Sequence, residues 1–246
     1  MDHCASRRKP LEPFPHQVEM VNLGLNGRWV GYGAEMGLGK TLAAFLTLEM
    51  SGIKKVYWTG PNPALVSTRV ELDVWEPEIE PVLFTYEGLK KIVTEWQTGQ
   101  VPPLALVMDE SSRASNPDSG RSQACYSMCE AIRKEHSFES ILLALSGAPA
   151  PKKPIGWWHQ SEMLKPGFLA EKDIYEITTT LAHQVEQDMG AGVFKKISTW
   201  KDDEAKCSVC GEVSGHVNHV EANYDDFLKQ GGKNEEQTFE IHKFEA

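Results

Sequence analysis

The residues best suited to chemistry are the eight at positions 34–41, "AEMGLGKT", which fit the spacing A/G-x-x-x-x-G-K-T. Each residue type has a physical task there. Gly37 and Gly39 let backbone N–H groups curl around phosphate oxygens without side-chain clashes, so Gly37, Leu38, Gly39, Lys40 and Thr41 form the expected phosphate cradle. Lys40 brings positive charge to the outer phosphates, and the Thr41 hydroxyl is a ligand for Mg²⁺. A second half-site closes the apolar run "PLALVMDE". Asp109 can bind Mg²⁺ through water, and Glu110 can polarise an attacking water. By themselves, two acids after a strand more often cap a helix. Downstream of the glycine loop, they complete a site for a nucleoside triphosphate.

A separate constellation lies toward the end of the chain. Cys207, Cys210, His216 and His219 have the spacing C-x₂-C-x₅-H-x₂-H, and two thiolates with two imidazoles satisfy tetrahedral Zn²⁺. The gap between the pairs is far shorter than the ~12 residues of a base-reading finger. The expectation is a small structural clip, with His242 able to replace either histidine. Exposed histidines beside an unrelated C-x₂-C are the competing reading. A thioredoxin-type redox pair fits poorly, because no βαβ setting surrounds the cysteines. Cys125 and Cys129, four apart on an expected helix, read as packing residues.

Elements must position these groups. "RWVGYG" runs into the glycine loop as a strand, and "TLAAFLTLEM" behind it sets Leu42, Phe45, Leu46 and Met50 at helical spacing, stopped by Ser51-Gly52. Four more strands are expected in "KKVYWTGP", "PVLFTYEGL", "PLALVMDE" and "ILLALSGAP". Alternation of strands with helices predicts an α/β fold, a parallel sheet covered by helices with its working residues at the C-terminal strand ends. After about Gly167 the pattern weakens. The expected division is an α/β P-loop domain over residues 1–172, which the resemblance named below makes RecA-like, then a small zinc-binding appendage with an acidic tail over 173–246.

Bulk composition narrows the classes. The chain has 246 residues, 41% apolar and 24% charged, as ordinary globular proteins do. No apolar run reaches the roughly 18 residues of a membrane span, and the first residues lack the apolar core of a signal peptide. Five cysteines without a regular framework favour a reducing setting, so a cytoplasmic protein without a membrane partner is expected. Net charge is −10, with eleven acids against five bases in residues 201–246. Such a surface has no general attraction for nucleic acid, so any DNA contact must come from a local patch.

Taken together, "EMGLGKT", "DESS" and "LALSGAPAPKKPIGWW" resemble motifs I, II and III of superfamily-two helicases, most nearly the Snf-type translocases of double-stranded DNA. "GPNPALV" is similar to motif Ia and "TYEGL" to the next DNA-facing motif, so the resemblance spans residues 13–169. It implies ATP as nucleotide, Gln17 of "PFPHQVEM" at the adenine edge, and His16 where tyrosine is more usual. It also implies that Ser112 and Ser146 couple nucleotide state to DNA grip, although relatives more often carry histidine and threonine there. Helicases of this kind work with a second RecA-like lobe that supplies an arginine finger, and no arginine follows Gly167 in this chain. The expectation is therefore one lobe, weak on double-stranded DNA and slow in hydrolysis by itself. Two other readings stand beside it: another P-loop enzyme such as a nucleotide kinase, and a nucleotide-sensing zinc module that binds a protein partner.

Overall fold

Strand burial follows from side-chain alternation. In β4 (Ala105–Asp109) and β5 (Ile141–Ser146), odd positions Ala105, Val107, Ile141, Leu143 and Leu145 enter one hydrophobic cluster. The even positions Leu106, Met108, Leu142 and Ala144 enter another on the opposite face. Strands buried on both faces read as continuous apolar runs, and these two do. The computed structural model describes residues 12–96, 100–148, 154–188 and 194–200.

The chain divides into two compact units, Met1–Thr180 and Leu181–Ala246. In the first, five parallel strands stand in the order β1-β5-β4-β2-β3, with β1 at Trp29–Gly33, β2 at Lys55–Gly60 and β3 at Glu80–Thr85. One face is covered by α1 (Pro15–Gly27), α2 (Lys40–Met50) and α3 (Asn62–Trp75), which contribute Val21, Phe45, Leu48 and Leu65. The other face is covered by α4 (Tyr86–Thr94), α5 (Gly120–His136) and α6 (Pro154–Leu164), through Leu89, Met128, Ile132 and Met163. Helix α7 (Ile174–Leu181) follows. This is an α/β sheet sandwich of RecA-like form. Within the second unit, β6 (Ala182–Asp188) pairs antiparallel with β7 (Phe194–Trp200). Cys207, Cys210, His216, His219 and His242 lie outside the described residues.

Two local expectations need adjustment. The third strand stops at Thr85 instead of running through "YEGL", because the Thr85 hydroxyl accepts the Gly88 N–H at 3.1 Å and starts α4. Met50 is 66% exposed, while Ala43, Ala44 and Leu48 are fully buried. Helix α2 is packed between α1 and the sheet, so it buries a wider face than one stripe. Cys125 and Cys129 are buried, unbridged and packed within the α5 face, and burial pushes both thiols well above their ordinary range. Among the described residues no helix is long and apolar enough to cross a membrane.

Leu143 sits at the centre of β5 with no exposed surface. Leu143→Ala is expected to lower unfolding free energy by about 2–5 kcal/mol. Urea denaturation of the two proteins would measure it; a change within error would mean this strand is not core.

Candidate functional site

Strand register brings the candidate residues to one edge. Gly33 pairs with Ser146, Asp109 with Leu145, and Gly60 with Thr85. The C-terminal ends of all five strands are thus level. Because β5 is wedged between β1 and β4, the glycine loop after Gly33 and the acid Asp109 stand two strands apart, about 10 Å. Ser146 ends the strand between them.

The loop leads from β1 into α2. Gly37 and Gly39 have φ of 84° and 71°, a left-handed backbone that glycine adopts without strain. At Gly39 there is a second requirement, since a Cβ built there would lie 2.0 Å from the Gln17 amide nitrogen. Lys40 folds over the loop, and its ammonium donates to the carbonyls of Ala34 at 2.6 Å and Glu35 at 2.9 Å. The charge is therefore held at the mouth of the loop, within reach of an incoming anion.

Gln17 is buried on α1. Its carboxamide oxygen accepts the Phe14 N–H at 2.9 Å, and its NH₂ donates to the Leu38 carbonyl at 3.4 Å. His16 Nε2 lies 3.1 Å from the same carbonyl, and its ring stacks on Phe14. A cleft of about 400 Å³ opens here, lined by Phe14, Gln17, Gly39, Leu42, Glu71 and Trp75 among others. Its walls are mainly apolar with one amide and a few acids, a composition suited to a flat heterocycle. Phe14 and Trp75 are the rings that line it, and His16 is not among the lining residues.

Asp109 is held from several sides. Its carboxyl is pushed above the usual carboxylate range by burial first and then by the neighbouring Glu110 charge. The Glu110 N–H donates to Asp109 Oδ1 at 3.0 Å and offsets part of this. The Trp58 indole N–H, close by but without a well-formed hydrogen bond, and the Lys40 charge offset less. Asp109 is also tied at its backbone, because the buried Tyr86 hydroxyl of α4 donates to its carbonyl at 2.8 Å. Glu110 adopts φ 52°, ψ 51°, a left-handed conformation costing a residue with a side chain about 1–2 kcal/mol. Such local strain concentrates where a side chain must be aimed.

Three positioned groups escaped sequence reasoning. Glu71 on α3 is near both halves of the site: burial and then the Asp109 charge push its carboxyl up, while a hydrogen bond with Thr41 lowers it. Tyr86 lies in "TYEGL", but only the fold aims it at Asp109. Ser111, next to Ser112, is the buried serine after the acids, and its hydroxyl donates to the Gln160 side chain on α6 at 2.8 Å. Ser112 is half-buried, with its carbonyl accepting the Ser115 N–H. Ser146 is buried, and its hydroxyl accepts the Ala148 N–H at 3.2 Å. Residues 149–153, the remainder of the third motif before α6, lie outside the described residues. Among the described residues, no group of three or more His, Cys, Asp and Glu side chains is arranged to hold a metal ion by itself.

No family model matches the chain, and no curated protein does. Its structure is similar to the Sulfolobus solfataricus SWI2/SNF2 ATPase core solved in complex with double-stranded DNA, with a TM-score of 0.51 at 20% identity. That likeness covers 71% of this chain but 41% of the ATPase core, so the chain spans less than half of that protein's length. It is a likeness of fold. The ATP-dependent Type ISP restriction-modification enzyme LlaBIII, solved bound to DNA, also matches, with 13% identity, a TM-score of 0.40, and coverage of 80% and 15%. That second likeness is too weak to weigh.

The acid pair has a consequence for stability. A carboxyl whose folded pKa is raised binds its proton better in the folded state, so its contribution is full at low pH and is lost as pH rises through the raised value. Asp109 and Glu71 both follow this sign. Asp109→Asn is therefore expected to melt above the parent at pH 7, with the difference shrinking toward about pH 4. Equal melting temperatures at pH 7 would contradict the burial argument.

Proposed function

We propose that this chain is the ATP-binding lobe of a Snf-type DNA translocase or helicase. The observation that carries the reading is the level strand edge, which sets the glycine loop of β1 and Asp109 of β4 on either side of Ser146. The order of the strands, the cleft beside Gln17 and the fold shared with an ATPase core support it.

The residues present fit ATP with Mg²⁺. Nothing lies within 4 Å of where a Cβ of Gly37 would project, which leaves room against the loop's backbone. Lys40 points its ammonium at the loop's own carbonyls, acceptors it can exchange for phosphate oxygens. Thr41 and Asp109 would hold the cation, with Glu71 beside them. Mg²⁺ takes one or two carboxylates and completes its shell with phosphate and water, so no all-protein cage is needed. Bound there, it neutralises charge on the phosphate oxygens. Gln17 reads the edge of the base, and Phe14 provides an apolar wall. Glu110 orients water toward the terminal phosphate, held by its left-handed backbone and the Asp109 carboxylate. Ser146, which ends β5, and Ser112, just after β4, couple nucleotide state to the grip on DNA.

An arginine opposite the terminal phosphate is worth about 10³–10⁵ in rate in such enzymes. In this reading it comes from a second RecA-like lobe, which also shares the grip on double-stranded DNA. With a net charge of −10, this chain has little electrostatic attraction for DNA of its own. The segment after β7 carries a structural zinc clip formed by Cys207, Cys210, His216 and His219.

Two outcomes test this. The 246-residue chain should bind ATP and hydrolyse it slowly, without stimulation by duplex DNA, and Lys40→Ala should lose most of the affinity. Joining a second lobe should restore DNA-stimulated turnover. Equal ATP titrations for parent and Lys40→Ala, or rapid DNA-stimulated turnover by the monomeric chain, would overturn the assignment. Elemental analysis should find about one zinc per chain, lost in Cys207→Ser; a metal-free protein with unchanged folding rejects the clip.

A further inference from the structure

Glu110 is aimed by a turn that another helix grips. Its carbonyl accepts the Arg113 N–H at 2.9 Å, which closes the short 3-10 turn Ser111–Ala114 behind it. Both ends of this turn are held through α6. At the first end, the Ser111 hydroxyl donates to Gln160 Oε1 at 2.8 Å, and Gln160 Nε2 donates to the Gly156 carbonyl one turn back at 3.0 Å. At the last end, the Ser122 hydroxyl donates to the Ala114 carbonyl at 2.5 Å, while His159 Nε2 lies 2.6 Å from the same hydroxyl oxygen.

The proton count fixes the second contact. Ser122 has one hydroxyl proton, and it is spent on Ala114, so His159 must donate from Nε2. Burial lowers the His159 pKa, with the Asp118 charge offsetting part, a direction that favours the neutral ring. Ser111, Ser122, His159 and Gln160 are all buried, where an unmade hydrogen bond is costly and geometry is therefore well determined. Helix α6 comes this close because Gly156 has no side chain: a Cβ there would lie 3.1 Å from Ser115 Cβ.

We infer that Gln160 and His159 are positioning residues for Glu110, acting from α6 through Ser111 and Ser122. The inference rests on the proposed role of Glu110 in orienting water. Neither residue touches the nucleotide cleft, whose lining comes from α1, α2 and α3 and the residues just before α1 and α2. Their effect belongs to the hydrolytic step and not to ATP affinity.

The test compares Ser111→Ala, Gln160→Leu, their combination and Glu110→Gln in the full chain. Single-turnover hydrolysis, ATP affinity and melting temperature are measured for each. Ser111→Ala and Gln160→Leu should each slow hydrolysis by about 10- to 100-fold, with affinity held within about twofold. The double variant should be no slower than the slower single one, because both remove the same bond. Hydrolysis at the parent rate in Ser111→Ala and Gln160→Leu, with Glu110→Gln slow, overturns the inference and leaves the ATPase reading standing. Parallel losses of affinity, rate and melting temperature would show a merely structural role and also overturn it. Unchanged hydrolysis in Glu110→Gln removes the water-orienting role and the inference with it. If Gln160→Leu does not fold, Ser111→Ala alone carries the comparison, since it deletes a single hydroxyl.

Discussion

The register of the parallel sheet is the constraint on which the rest depends. In β4 and β5, alternate residues belong to different hydrophobic clusters, so a slip of one residue would exchange both sets at once. That lock fixes the strand ends as firmly as the strand centres. Gly33, Ser146, Asp109 and Gly60 stand level because Tyr32, Leu143, Val107 and Trp58 are buried behind them. The loops at this edge have few apolar residues of their own. Their positions are inherited from the core.

The edge itself is built against local stability. Asp109 and Glu71 carry carboxyls that burial drives toward the neutral form, and Glu110 has a left-handed backbone. Just beneath, the Trp58 indole nitrogen and the Thr59 hydroxyl are buried without a well-formed hydrogen bond among the described residues. Natural sequences depart from local rules where a site must be preorganised, and the densely packed strands beneath supply the compensation. Several such departures gather around Asp109, while the centres of β4 and β5 follow the alternation throughout.

Each site segment is also tethered by a polar side chain from a different helix. Gln17 of α1 reaches the loop at Leu38, Tyr86 of α4 reaches the Asp109 carbonyl, and Gln160 of α6 reaches Ser111. These bonds are few, but a buried donor or acceptor left unmade costs about 1–3 kcal/mol, enough to select one arrangement of a short loop. Three helices from both faces of the sheet thereby converge on one edge. The helical layers consequently do more than cover the strands.

Much of this was legible in the chain itself. "AEMGLGKT" between an apolar strand and an apolar helix specifies a tight glycine loop running into α2, since glycines at 37 and 39 answer a local backbone demand. The runs ending at Asp109 and Ser146 declare buried parallel strands through their unbroken hydrophobicity, and the element order follows from the alternation of periods. What the sequence could not state was adjacency. That β5 lies between β1 and β4 depends on which faces pack, a property of the whole sheet and of no single segment. Glu71 looks like any surface acid in a helix until α3 docks beside α2 and sets it near Thr41. Ser111 and Ser112 are indistinguishable in "DESS"; a left-handed residue before them turns one inward to Gln160. Local spacing determines local backbone geometry, whereas long-range polar contacts are decided by packing, because side chains distant in sequence become neighbours only when the core closes.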